Sequence, residues 1–185
     1  MALLRVLGIA GSLREGSYNR RLLEAATELL ADADWTIARL RGIPPYDADV
    51  EARGNPPAVV QLRDQIEAAD ALVIATPEYN HSIPGVLKNA MDWASRPANR
   101  SPLVGKRIVL LGASPGRGAA KRALEHLRQV LESIDAIPLP HELSVASVRH
   151  RFDEHGSFDA ALTDELRQVL GQLQHAGVMA TAIER

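Results

Sequence analysis

The sequence contains no cysteine. Disulfides, thiolate metal centres, iron–sulfur clusters and a cysteine nucleophile are thereby excluded, while the redox compartment is left open. Aromatic residues are scarce, at 4% of 185 residues. No apolar run approaches the ~20 residues that a membrane-spanning helix requires. Neither sign of charge dominates: 21 Lys+Arg face 23 Asp+Glu, for a formal net charge of -2. That balance gives no support to a nucleic-acid partner or an anionic membrane surface. His81, His126, His141, His150, His155 and His175 show neither H-x-x-x-H nor H-E-x-x-H spacing, so no metal site is expected. The first apolar run is broken by Arg5 and Gly8 and lacks the charged start and cleavage site of a signal peptide, so a cytoplasmic protein is expected.

What is present is ordinary in bulk. At 46% hydrophobic and 24% charged, the chain reads as one globular domain spanning residues 1–185, long enough to bury its own core. Short apolar runs alternate with longer amphipathic ones. Strands are expected in 3–10, 35–40, 71–77 and 105–114, with a fifth inside 136–146 whose position Pro138 and Pro140 obscure. Helices are expected over 19–33, 57–70, 84–95, 119–134 and 158–177. Residues 41–56 and 147–157 read as long irregular segments, which are often functional or mobile. Strands separated by helices imply a parallel sheet covered on both faces. Ligands of such sheets bind beyond the carboxyl ends of the strands, where three loops stand out: 11–19, 76–84 and 114–118.

The first loop follows "VLGIAGSLREGSYNR" and fits neither familiar phosphate template. Gly8 and Gly11 lie too far apart for G-x-G-x-x-G, and the second strand ends near Arg39 and Arg41 rather than at an acidic residue. Gly11 and Gly16 have the spacing of a P-loop, but Ser17 stands where its lysine belongs. What remains is a cradle of Ser12, Arg14, Ser17 and Asn19, together with the amides that open a helix at 16–19. Such a set suits a terminal phosphomonoester held without metal. Simple helix capping by Ser17 or Asn19 is the plainer alternative, but it accounts for one such residue, not four donors and a glycine pair.

The second loop, "TPEYNHSIPG", could present amides to the edge of a planar heterocycle and Tyr79 to its face, or could be an ordinary asparagine turn. Glu78 is expected to accept hydrogen bonds rather than act as a general acid. In the third loop, "GASPGRGAA", glycines permit close approach to a flat ligand and Arg117 could meet a second anion. Leu87, Met91 and Trp93 recur on the helix after the second loop and are expected in the core or a subunit contact. Asp92 and Arg96, four apart, could pair within that helix.

Taken in order, "GSLREGSYNRRLL", "ATPEYNHSIPGVLKNAMDWASR" and "GKRIVLLGASPG" resemble the NADPH-dependent FMN reductases, a group that includes quinone, azo-dye and chromate reductases. The resemblance extends from Val6 to about Leu173 and includes "FDEHGSF". It implies a flavodoxin-like three-layer α/β sandwich whose parallel sheet has strand order 2-1-3-4-5. It assigns Ser12, Arg14, Ser17, Tyr18 and Asn19 to the FMN phosphate loop. Pro77, Glu78, Tyr79, Asn80 and Ser82 fall along the isoalloxazine ring, with Ser114 and Gly116 on the other wall. The chain departs from the family at Arg117-Gly118, where many relatives have a longer glycine or aromatic stretch; Arg117 is either a pyridine-nucleotide contact or a solvated charge.

The implied activity passes hydride from NADPH or NADH to FMN and then to a quinone, a flavin or another oxidised small molecule. One open flavin face would serve both substrates in turn, giving ping-pong kinetics. A homodimer or a tetramer of dimers is also implied. The rival is a one-electron carrier of the flavodoxin type; such carriers are usually strongly acidic with aromatics around the ring, unlike this chain.

Overall fold

The computed structural model describes residues 3–153 and 157–175; His155 and the side chain of His175 lie outside what it describes. Its sheet comprises β1 (Arg5–Ala10), β2 (Asp34–Ala38), β3 (Ala71–Thr76), β4 (Arg107–Ala113), β5 (Ile137–Pro138) and β6 (Leu143–Val145), all pairing in parallel. The order is β2-β1-β3-β4, with β5 and β6 following one another along the outer edge of β4. The flavodoxin-like order 2-1-3-4-5 is thus present, its last strand interrupted.

The interruption has a local cause. Proline cannot donate to a strand ladder, and Pro138 and Pro140 fall inside this edge. Ile108 pairs with Pro138 and Leu111 with Leu143, so the edge strand bulges outward between the two pairs. Arg128 fills the bulge, donating to the carbonyls of Pro138 (3.2 Å) and Leu139 (2.9 Å) and to Glu142 (3.0 Å).

Central strands are apolar at successive positions because both faces are covered. On one face Leu72, Ile74, Ile108 and Leu110 pack beneath α3 (Pro57–Ala68), α4 (Gly85–Ala94) and α5 (Lys121–Glu132). On the other, Val73, Ala75, Val109 and Leu111 meet α1 (Tyr18–Leu29) and α6 (Ala160–His175). Each fully buried Leu or Ile contributes about 1.5–3 kcal/mol, so both layers hold the sheet rigid beneath its loops. No helix among the described residues is long and apolar enough to cross a membrane.

The segment 41–56 is not wholly irregular: it contains α2 (Ala48–Arg53), which has no buried residue and hence no apolar period to reveal it. Its start is fixed by Asp47, whose carboxylate accepts from the Asp49 N–H at 2.8 Å. Trp93 anchors the preceding stretch, donating from Nε1 to the Pro44 carbonyl at 2.8 Å and meeting the Tyr46 ring edge-on. Leu87, Met91 and Trp93 are all core residues, 0–1% exposed, and form no surface patch for a partner. Nor do Asp92 and Arg96 pair with each other. Asp92 takes Lys88 at 2.6 Å, and Arg96 reaches Glu51 at 3.3 Å.

Candidate functional site

Strand order reverses between β1 and β3, and the loops leaving β1, β3 and β4 rise together at that edge. The first loop lies directly on the end of β3. Gly11 donates to the Ala75 carbonyl at 2.8 Å, and a Cβ at Gly11 would stand 2.7 Å from Thr76 Oγ1 and 3.1 Å from Leu87 Cδ2. Only glycine permits that approach. Farther along, Arg14 donates from its backbone to Ser12 Oγ at 3.3 Å and from its guanidinium to the Gly16 carbonyl at 3.1 Å. Arg41 props the loop from outside through the Leu13 carbonyl, at 3.1 Å.

Ser17 is the N-cap of α1 with extended backbone, yet its side chain makes no capping bond. The residue is 6% exposed and lines the cleft together with Arg14. Capping therefore does not explain it. Asn19 corrects the sequence reading. Its carboxamide accepts from the Ala113 N–H at 2.8 Å and donates to the Ala113 carbonyl at 3.0 Å. The side chain is a clamp between α1 and the end of β4; only its backbone amide, in the first turn of α1, remains a donor for an anion. Asn19→Ala leaves both Ala113 groups unpaired in a buried place, at about 1–3 kcal/mol per group. A thermal midpoint several degrees lower is expected, and an unchanged midpoint would contradict the clamp.

In the second loop Tyr79 and Ser82 exchange backbone hydrogen bonds of 2.9 and 3.1 Å around Asn80 and His81, whose φ values are 50° and 63°. Two left-handed central residues make this the tight turn typical of hairpins, so an asparagine turn is indeed there. Asn80 and Ser82 belong to it and do not line the cleft, whereas Pro77, Glu78 and Tyr79 do. The Tyr79 hydroxyl lies 3.4 Å from Ser12 Oγ, linking the two loops. Glu78 is an acceptor, as expected: its carboxylate takes the Arg122 N–H (3.2 Å) and guanidinium (3.4 Å), with His81 Nδ1 at 3.4 Å. His126 shares a hydrogen bond with Ser82 at 3.1 Å.

The third loop is laced to the chain beyond β6. Gly116 donates to Ser114 Oγ at 3.1 Å, Ser147 to the Gly116 carbonyl at 3.0 Å and Val148 to the Ser114 carbonyl at 3.0 Å. Gly112 is close-packed against α5, where a Cβ would lie 3.0 Å from Ala120 Cβ. The left-handed positions are Ala119 and Ala120, with φ of 54° and 60°. Gly116 and Arg117 are both exposed and do not line the cleft.

Together the loops enclose a cleft of about 260 Å³. It gathers Ser12, Arg14, Ser17, Tyr18, Asn19, Pro77, Glu78, Tyr79 and Ser114, and adds Ala113, Pro115 and Arg149. Arg149 escaped the sequence reading because 147–157 carries no periodic signal. A larger groove, about 770 Å³, runs along α3 and β2 past Arg5, Asp34 and Asp64. It begins at the amino ends of the strands and lacks the convergent amides of the loops, so the smaller cleft is the candidate site. Among the described residues no three His, Asp or Glu side chains cluster as a metal site.

Fold and cleft define a flavodoxin-like α/β protein with a loop-lined cleft at its topological switch point. The chain belongs to the NADPH-dependent FMN reductase family, whose sequence profile matches residues 4–150. It is 48% identical over 171 residues to an NAD(P)H-dependent FMN reductase of Pseudomonas aeruginosa, covering 91% of this chain and 90% of that one. It is 43% identical over 138 residues to a quinone reductase of Escherichia coli K12, covering 72% of each chain. Among solved structures it resembles FerB, a flavoenzyme NAD(P)H:(acceptor) oxidoreductase from Paracoccus denitrificans. The TM-score is 0.82 at 30% identity, covering 92% of this chain and 95% of that one.

Proposed function

We propose that the chain is an FMN-dependent NAD(P)H oxidoreductase that delivers reducing equivalents to a quinone or another oxidised small molecule, in the cytoplasm, where NAD(P)H is available. The observation that carries this reading is the Ser17 hydroxyl. Ser17 is 6% exposed at a helix N-terminus, its side chain makes no capping bond, and it lines the same cleft as Arg14. A phosphomonoester dianion supplies the acceptors that this donor set lacks. Glu78 does not oppose it, since the Arg122 guanidinium holds its charge.

In this reading Ser12, Arg14, Ser17 and the first-turn amides of α1 hold the FMN phosphate. Pro77, Glu78 and Tyr79 border the ring on one side and Ser114 on the other. When bound, FMN supplies the redox chemistry, taking hydride from NADPH or NADH and releasing it to the acceptor. The chain's own work is binding and orientation. Loop amides offer fixed dipoles to developing negative charge without a titrating group, and Glu78, already committed to Arg122, moves no proton. Tyr79, 48% exposed at the mouth, leaves one face open for the two substrates in turn. The proposal includes a homodimer or a tetramer of dimers; sedimentation showing only monomer at micromolar concentration is the contrary result.

The loop after β1 offers one set of donors, suited to a terminal phosphate, whereas FAD needs room for a diphosphate and adenosine. Fluorescence titration should therefore show tight binding of FMN and weak or absent binding of FAD. Equal affinity for the two flavins would remove the basis of the proposal.

A further inference from the structure

The residue that sequence reasoning missed has no structural employment. Arg149 sits on the single helical turn Val148–His150 that follows β6. That turn is fixed from both sides. Val148 is fully buried and bonded to Ser114, and Ser147 is bonded to Gly116. Two residues on, Arg151 is clamped by Asp159 (2.7 Å) and Glu165 (3.0 Å). Phe152 then packs against Tyr18, the first residue of α1, with ring centroids 5.7 Å apart. The anchors on either side leave Arg149 facing the cleft that Ser12, Arg14 and Ser17 line.

Its charge is not spent. Arg151 takes two carboxylates and Arg122 takes Glu78, whereas no carboxylate or carbonyl among the described residues meets Arg149. The Arg14 guanidinium likewise meets no carboxylate among the described residues and donates to the Gly16 carbonyl. Two uncompensated guanidinium groups on one small cleft repel each other unless an anion lies between them, and a dianion has oxygens enough for both.

We infer that Arg149 is a second cationic contact for the flavin phosphate, supplied by the chain beyond β6 rather than by the loop after β1. This rests on the reading of the cleft as an FMN site and assigns Arg149 a part in selecting phosphorylated over unphosphorylated flavin. Because the side chain is exposed, part of its attraction is screened by salt.

The test is equilibrium dialysis of the full chain against FMN and against riboflavin at low and moderate ionic strength, for the parent, Arg149→Gln and Arg149→Glu. Arg149→Gln should bind FMN about tenfold more weakly, and Arg149→Glu more weakly still. Riboflavin affinity should be unchanged in both, and the salt dependence of FMN binding should be shallower. Unchanged FMN affinity in both variants overturns the inference, with the cleft reading intact if the parent still prefers FMN. Equal weakening of FMN and riboflavin also overturns it, since that marks a structural role. A parent that binds riboflavin as tightly as FMN removes the cleft reading and the inference together.

Discussion

Ser17→Asp is expected to weaken FMN binding at least a hundredfold while leaving α1 as stable as before. Aspartate is as good an N-cap as serine, and a negative charge at a helix N-terminus is favourable. If Ser17 only began the helix, the substitution would be neutral or mildly stabilising. Ser17 instead lines the cleft, and its side chain makes no capping bond to the helix. A carboxylate there would face a bound phosphate at short range. Two unit charges 4 Å apart repel by about 4 kcal/mol at an effective dielectric constant of 20, and every ~1.4 kcal/mol is tenfold in affinity. Thermal unfolding of the flavin-free variant reports on the helix, and flavin titration reports on the site. FMN affinity equal to that of the parent would mean that the hydroxyl does not face the phosphate.

Arg14→Ala is expected to cost FMN affinity tenfold or more and riboflavin affinity little. A charge-assisted hydrogen bond contributes roughly 1.5–3 kcal/mol, equivalent to between about tenfold and a hundredfold. The loop should survive the loss. Arg14 is exposed and its side chain touches only the Gly16 carbonyl, whereas Gly11 on β3 and Arg41 on Leu13 hold the backbone independently. A parallel loss for FMN and riboflavin would point to collapse of the loop, and an unchanged affinity for FMN would put the phosphate elsewhere.

The segment carrying Arg149 has a pH dependence of its own. The hydrogen bond from Arg151 holds the Asp159 carboxyl below the usual carboxylate range, aided by the Leu162 amide. A carboxyl lowered on folding stabilises the folded state above its unfolded pKa, and the stabilisation is lost as pH falls through the folded value. The tie between this segment and α6 thus weakens only under acid conditions.

The strands and long helices were readable because their signal is local. A strand covered on both faces is apolar at every position, as "ALVIAT" is, and an amphipathic helix repeats its apolar face. The pieces that escaped draw on distant partners. Helix α2 buries nothing, so it shows no period. The last strand breaks at Pro138 and Pro140, and Arg128 satisfies the carbonyls of Pro138 and Leu139 from another element. Asn19 looked like a donor for an anion because its partner, Ala113, lies 94 positions away. Arg149 showed nothing for the same reason: what brings it to the cleft is backbone bonding between the segments after β4 and β6. The motif residues of the three loops were legible by resemblance and by chemistry together. Even so, their division into cleft and turn, with Asn80 and Ser82 in the turn, required coordinates.

The central claim is that this is an enzyme and not merely a flavin carrier, and turnover decides it. The protein loaded with FMN should consume NADPH or NADH steadily in the presence of a quinone. Initial rates at several quinone concentrations should give parallel double-reciprocal lines, because the nicotinamide leaves the open face before the acceptor enters. Intersecting lines would remove the single-face order but leave the activity standing. FMN bound at the predicted site with no sustained oxidation of either nicotinamide, whatever acceptor is offered, would contradict the account.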